Sequence, residues 1–336
     1  MGKFKALFAI LLSAVIIAGA FYWLRRYKHE IPEPSPEFNT QGRLQVYALD
    51  VGQGESMLIV TPGGKTVLID AGNPQSGDTV VAALRKHKVS GIDLAVATHP
   101  HADHIGGMRS VIESFSIRNF LDSGRDFSST EYERLLKAIK SNRISFINAK
   151  SGMTFDLDSG IKLEAFFPKG DNQWITRVRS GGSLENANSV VLRLTYGSFS
   201  MLFTGDAEFE TEAAMLKSGF PMNAQVIKIG HHGSRYATSG KFLDAVGPQM
   251  AIISCGMDNR YGHPSQSTLD RLKKSNIQIY RTDLNREISI FSDGRNYQVR
   301  QERGAETAAM WLGRIESVEF SAAMAKKSTR TVVEVD

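Results

Sequence analysis

A strand built to be buried runs straight into a loop built to bind. Asp93–Thr98 reads as a short apolar strand, and His99-Pro100-His101-Ala102-Asp103-His104-Ile105-Gly106-Gly107 follows it directly. Histidine is the commonest metal ligand, and three of them with a carboxylate inside six residues have few other uses. His99 and His101 are two apart, so an extended or loop backbone points them the same way. Asp103 and His104 open the next turn and face a second position. Two imidazoles for one ion, and a carboxylate with an imidazole for another, suit zinc or a similar divalent cation. Such a site constrains the whole fold, because donors from distant stretches must converge on the end of this strand. His231 and His232, in Gly230-His231-His232-Gly233-Ser234, and the loop residue His263 are available. Only His29 and His87 lie elsewhere, and the single cysteine, Cys255, excludes a cysteine-rich zinc site.

The rest of the chain interleaves strands with helices. Leu44–Leu49, Ser56–Thr61 and Thr66–Ile69 are apolar β-formers, with Pro62-Gly63-Gly64 turning between the second and third. Asp78–Lys88 reads as a helix, as do 105–115 and the amphipathic stretch Ser129–Ser141. Val190–Tyr196 and Ser200–Phe203 read as a hairpin around Gly197, followed by a helix over Glu208–Ser218. Gln225–Ile229 is a strand that ends at the His231-His232 pair. Helices over Lys241–Val246 and Ser267–Ser275 and strands at Met250–Ser254, Ile277–Tyr280, Glu287–Phe291 and Asn296–Arg300 complete the set. The expected class is a layered α/β domain over residues 42–300, with 301–336 as an extension of undecided role.

Ahead of this domain, Ala6–Leu24 carries no charge over 19 residues and ends in Phe21-Tyr22-Trp23 before Arg25-Arg26. That length suits a transmembrane helix with an interfacial aromatic end. Ala18-Gly19-Ala20 also resembles a signal-peptidase site, so residues 1–24 read as an anchor or a signal peptide, with the uncleaved anchor favoured. Residues 25–41 form a linker with alternating prolines from Ile31 onward. The domain is then expected outside the cytoplasmic membrane, either tethered or, after cleavage, secreted. The net charge of +5 is largely a property of this flank: residues 1–30 hold five basic residues against Glu30. The basicity is therefore no footprint for a polyanion.

The His99–Gly107 motif resembles the signature of the metallo-β-lactamase superfamily, and other stretches extend the likeness. They are Leu49-Asp50-Val51-Gly52-Gln53-Gly54-Glu55-Ser56, Leu68-Ile69-Asp70-Ala71-Gly72, Asn186-Ala187-Asn188-Ser189-Val190-Val191-Leu192, Phe203-Thr204-Gly205-Asp206, Lys228-Ile229-Gly230-His231-His232-Gly233-Ser234 and Asn259-Arg260-Tyr261-Gly262-His263-Pro264. Together they resemble the branch that includes the C-terminal hydrolase domain of ComEC and bacterial phosphorylcholine esterases. The resemblance implies an αββα sandwich with two divalent ions, zinc or manganese, at one edge of the sheets. It implies that His99 and His101 hold the first ion, that Asp103, His104 and His232 hold the second, and that Asp206 bridges them. His231 and His263 are then donors to a substrate oxygen, and Asp103, His231 and His263 form the catalytic set.

One departure stands out. The superfamily usually supplies a third histidine to the first ion, yet no histidine lies between His104 and His231. Glu185, Asn186 and Asn188 occupy that stretch, and Asn188 is the candidate ligand, through its carbonyl or a water. An amide is a poorer zinc ligand than imidazole, which weakens the first site or favours a harder ion such as manganese. Asp50 and Asp70, at early strand ends, read either as groups that orient ligating histidines or as turn caps. The insert Lys169–Leu184, with Trp174, Arg177 and Arg179, reads either as a seat for a base and phosphates or as a solvated loop.

The function expected is hydrolysis of phosphodiesters, with DNA, a cell-surface polymer and a small diester all open as substrates. A hydroxide held between the ions is the expected attacking group. The alternatives are an esterase acting on phosphorylcholine or a cell-wall polymer, hydrolysis at carbon as in β-lactam or thioester cleavage, and a non-catalytic binding module tethered to the membrane.

Overall fold

The computed structural model describes residues 40–170, 173–179 and 181–302, together with the backbone of two short strands at 312–314 and 332–334. Residues 42–336 form one unit. The apolar run Ala6–Leu24, the cleavage-site reading and nearly all of the linker lie outside the described residues. Among the described residues no helix is long and apolar enough to cross a membrane.

Two mixed sheets face each other. The first contains β1 (Leu44–Ala48), β2 (Met57–Val60), β3 (Thr66–Ile69), β4 (Ile92–Val96), β5 (Ile117–Asp122), β6 (Ser145–Asn148), β14 (Ile288–Ser292), β15 (Asn296–Gln301) and β16 (Leu312–Arg314). Its order is β16-β15-β14-β1-β2-β3-β4-β5-β6. The second contains β7 (Thr154–Asp158), β8 (Ile161–Phe167), β9 (Val191–Tyr196), β10 (Phe199–Phe203), β11 (Val226–Lys228), β12 (Met250–Ile253), β13 (Gln278–Arg281) and β17 (Val332–Glu334), in the order β13-β12-β11-β10-β9-β8-β7-β17. Two short stretches of the C-terminal extension thus extend a sheet edge each, on β15 and on β7.

Period-two alternation sends one face of each strand into the space between the sheets. Leu94 and Val96 of β4 point there, and Met201 and Phe203 of β10 meet them in one cluster with Val46, Ile59, Leu163 and Ile252. Each such side chain, fully buried, contributes about 1.5–3 kcal/mol. The opposite faces are covered too. Leu202, Ile227, Ala251 and Ile253 pack beneath Met215 of helix Phe209–Ser218 and Phe242, Leu243 and Val246 of helix Gly240–Val246. Because both faces are dry, these strands read as unbroken apolar runs rather than alternating ones. The helices Gly77–Lys86 and Met108–Ser114 pack together through buried faces led by Val80, Leu84, Val111 and Ile112.

Each sheet has a parallel block, β3-β4-β5-β6 in one and β10-β11-β12-β13 in the other. In parallel blocks the crevice for a ligand lies outside the carboxyl ends of the strands. The histidine motifs follow β4 and β11, Asp206 follows β10, and His263 follows β12, so each of these loops leaves a strand at that end.

Candidate metal centre

The first sheet supplies the His99–His104 half. Asp70 follows β3 in a left-handed backbone (φ 59°). One of its carboxylate oxygens accepts from the Thr98 backbone N–H at 2.8 Å, the other from Thr98 Oγ1 at 2.6 Å. The second oxygen also faces His104 Nδ1 at 2.7 Å. That contact engages Nδ1 and turns Nε2 toward the cleft. The short helix Ala102–Ile105 is clamped from below, since Ala71 N–H donates to His104 O at 2.7 Å and Glu55 N–H to Asp103 O at 3.1 Å. The glycines of the motif serve this packing: a Cβ at Gly107 would lie 2.2 Å from Ala71 O.

The second sheet supplies the other half. Gly205, at φ 50°, lets the chain turn against Thr98, whose Cβ lies 2.8 Å from where a Cβ at Gly205 would be. Asp206 N–H donates to Ser189 Oγ at 3.2 Å. His231 and His232 both hold left-handed backbones, at φ 46° and 51°. Non-glycine residues adopt that region at a cost of about 1–3 kcal/mol each, a concentration of strain typical of functional loops. His232 Nδ1 faces Ser254 O at 2.8 Å, so its Nε2 also points into the cleft.

The two halves meet as bare donors. His99 Nε2 lies 3.1 Å from His101 Nδ1 and 3.9 Å from Asp206 Oδ2. His104 Nε2 lies 3.3 Å from His232 Nε2 and 3.2 Å from Asp206 Oδ1. His232 Nε2 is 3.3 Å from Asp103 Oδ2 and 3.6 Å from Asp206 Oδ1. Ligands 2.0–2.1 Å from a tetrahedral ion sit about 3.4 Å apart, so these spacings suit first-row divalent ions. Asp206 Oδ1 is buried and, among the described residues, meets no polar partner other than the facing His104 and His232 nitrogens. A buried carboxylate oxygen and facing imidazole lone pairs are costly unless a cation joins them. The residues therefore fit divalent cations, and His99, His101, Asp103, His104, Asp206 and His232 are the side chains that would hold them.

The electrostatics divide the donors: both carboxylates are held ionised and His99 neutral, whereas His104 is held toward its charged form. Burial would raise the Asp206 and Asp103 carboxyls, but the surrounding histidines hold both below the usual range. Burial and neighbouring His104 push His99 well down, toward the neutral form a metal requires. Burial opposes a charge on His104, yet Asp206 and Asp70 outweigh it and raise this imidazole.

Beside the donors stand two further rings. His231 Nε2 is 3.8 Å from Asp206 Oδ2, and its Nδ1 is 3.1 Å from the buried Glu208 carboxylate. Burial works against its charge, but Asp206 and Glu208 prevail and raise it. His263 lies 5.3 Å from His231, ring to ring, with a buried Nδ1 that has no partner. Burial and the two histidines push it down to about 4.

One sequence expectation needs correcting, for Asn188, and one left open, for Asp50, resolves to a turn cap. Asn188 is not free to serve the first ion: its Oδ1 accepts from Ile175 N–H at 2.9 Å, and its Nδ2 donates to Ile175 O and Leu184 O at 2.9 and 2.7 Å. Its amide pins the insert instead. The asparagine that turns to the site is Asn186, with Nδ2 3.2 Å from the His231 ring and 3.4 Å from Glu208 Oε1. Asp50 caps its own turn through Gly52 N–H at 3.3 Å and faces Arg286 at 4.0 Å, so of the two early aspartates only Asp70 faces a candidate ligand, His104. In the insert, Arg179 pairs with Glu210 at 3.5 Å while Arg177 is exposed.

The sequence reading assigned no role to Glu55, Glu208 or Lys228. A signal was present for the last: Lys228 interrupts the apolar stretch 226–229, within the fully buried strand Val226–Lys228.

Residues 49–256 match the metallo-beta-lactamase superfamily. The chain belongs to that superfamily. It is 27% identical over 267 residues to ComE operon protein 3 of Bacillus subtilis (strain 168), covering 74% of this chain and 33% of that protein. It is 29% identical over 251 residues to competence protein ComA of Neisseria gonorrhoeae, covering 74% and 32%. The chain thus spans about a third of the length of these relatives. They agree with the ComEC-like branch to which the motifs point. Among solved structures, CmlA, a diiron beta-hydroxylase from Streptomyces venezuelae, aligns with a TM-score of 0.48 at 14% identity, over 76% of this chain and 55% of that one.

Proposed function

We propose that this superfamily member hydrolyses phosphodiesters at a centre of two divalent ions, zinc or manganese. The observation that carries the reading is the convergence of His99, His101, Asp103, His104 and His232 on the buried Asp206 carboxylate, with His231 and His263 at its side. When bound, the ions supply Lewis-acid neutralisation of charge on phosphoryl oxygens and a water acidic enough to ionise near neutrality. The protein does the rest. Asp70 and Ser254 fix which nitrogen of His104 and His232 faces the cleft. Asp206 offers one oxygen to each half of the site. Glu208 holds the His231 ring and favours its charged form, so Nε2 can donate to an anionic phosphoryl oxygen or to a departing alkoxide. His263 is a neutral ring at the same wall. A cationic donor beside the donor ring favours phosphorus over a β-lactam or thioester carbon, whose transition state carries less negative charge.

Among phosphodiesters the reading favours a single DNA strand, as the competence names of the relatives suggest. Tyr261 is exposed, stacks on His263 at 5.8 Å and carries the Arg260 guanidinium 5.0 Å from its ring centre, a pairing suited to a base and its phosphate. The proposal also keeps the domain at the membrane surface through Ala6–Leu24.

The test is a substrate screen on the full chain with manganese and zinc supplied separately. A bis-aryl phosphodiester and a single-stranded oligonucleotide should be cleaved, and Asp103→Ala should abolish both activities with the fold intact. Turnover of a chromogenic β-lactam with none for phosphodiesters, or full activity of Asp103→Ala, would overturn the proposal.

A further inference from the structure

Beneath the metal donors lies a second charged pair that the hydrolytic chemistry does not use. Lys228 and Glu55 are both fully buried, and the ammonium contacts a Glu55 carboxylate oxygen. Lys228 Nζ also donates to Ile229 O at 2.9 Å and to Gly205 O at 3.2 Å. Three acceptors satisfy the three protons of an ammonium. Two of them flank the ligating loops of the second sheet: Gly205 precedes Asp206, and Ile229 opens the turn to His231 and His232. Gly205 O also accepts from His231 N–H at 3.2 Å, which ties these two loops to each other.

Glu55 belongs to the other half. Its N–H donates to Asp103 O at 3.1 Å and its carbonyl accepts from Gly72 N–H at 2.8 Å, which brackets both the His99–His104 loop and the Asp70 loop. The described residues offer its carboxylate no donor other than Lys228. Glu55, Asp70 and His104 place one ligating atom each within 4.8 Å of one another, an arrangement that calls for a cation. The cation is already there, covalently attached to β11.

We infer that Lys228 and Glu55 are positioning residues: their buried ion pair joins the two halves of the metal centre and holds the donors converged before any ion binds. This rests on the reading of the centre as a two-ion site. The halves belong to different sheets and share one backbone hydrogen bond beside the site, Val190 N–H to Thr98 O at 2.8 Å, so the pair adds a charged link beneath the donors themselves. A buried charge left alone is far more disruptive than a buried pair removed whole, so the two residues must be changed together. Glu55→Gln with Lys228→Met preserves length and shape while deleting both charges.

The experiment compares the wild-type full chain with Glu55→Gln/Lys228→Met by titration calorimetry with zinc and by thermal melting without metal. The double variant should melt within a few degrees of the wild type yet bind zinc roughly 10- to 100-fold more weakly, the usual effect of removing groups that orient ligands. Wild-type affinity in a folded double variant would overturn the inference. A second measurement needs no variant. In metal-free wild-type protein the amides of Glu55, Gly72 and His231 should resist hydrogen exchange; protection that arises only after zinc loading would equally overturn it. Failure of the wild type to bind either zinc or manganese would instead refute the two-ion reading itself, so the two failures are distinguishable.

Discussion

Asp122 is a carboxyl group that the fold holds at an energetic disadvantage, and removing its charge should reshape the dependence of stability on pH. It ends β5, fully buried. Its Oδ1 accepts from Gly124 N–H at 2.7 Å and from the Tyr132 hydroxyl at 3.1 Å, while Oδ2 is buried without a partner. Burial dominates these bonds and pushes the group from 3.8 up to about 6. Between those values the folded state holds a proton that the unfolded chain has released, so stability falls as pH rises. A gap of some two pH units corresponds to about 3 kcal/mol in total, of which about 2 kcal/mol lies between pH 4.5 and 7.5. Asp122→Asn cannot ionise and lacks this loss. Relative to the wild type it should therefore gain about 2 kcal/mol on going from pH 4.5 to 7.5, whatever its offset at either pH. Urea melts of the metal-free proteins at both values measure the difference, and other titrating groups cancel in the comparison. An equal difference between the two proteins at both pH values would refute the reasoning.

Two further outcomes follow from the site. Asp70→Asn places an amide N–H where His104 Nδ1 now finds an acceptor; the ring must then protonate Nε2, and zinc affinity by calorimetry should fall about 10- to 100-fold, whereas unchanged affinity would show that Asp70 merely caps its turn. His231→Gln should slow cleavage of alkyl phosphodiesters by about 10²–10⁴-fold and of p-nitrophenyl esters far less, because only the poorer leaving group needs the proton; equal losses on both would remove His231 from that role.

The legible part of this molecule was the part written in short motifs and apolar runs. The strand Asp93–Thr98 and the pair behind Gln225–Ile229 lie within a residue or two of the observed β4 and β11, because strands buried on both faces leave continuous apolar signatures. β16 and β17 in the extension went unread, as did four strands within residues 42–300: β5, β6, β7 and β8. Asp156, Lys162 and Glu164 interrupt the last two, and β6 is an edge strand with Phe146 exposed, so the apolar run dissolves there. At the site, spacing identified donor types but not their aim. Asn188 and Asn186 are two apart in the same motif, and nothing local reveals that Ile175 captures the first while the second faces His231. Lys228 and Glu55 were hidden for a different reason: their partnership exists only once two sheets are stacked.

The central claim is that residues from both sheets grip two cations, and counting ions tests it most directly. Full-length protein loaded with zinc or manganese, desalted and analysed by elemental mass spectrometry should retain two ions per chain, with Asp206→Asn retaining fewer. Less than one ion per wild-type chain under both metals would contradict the account.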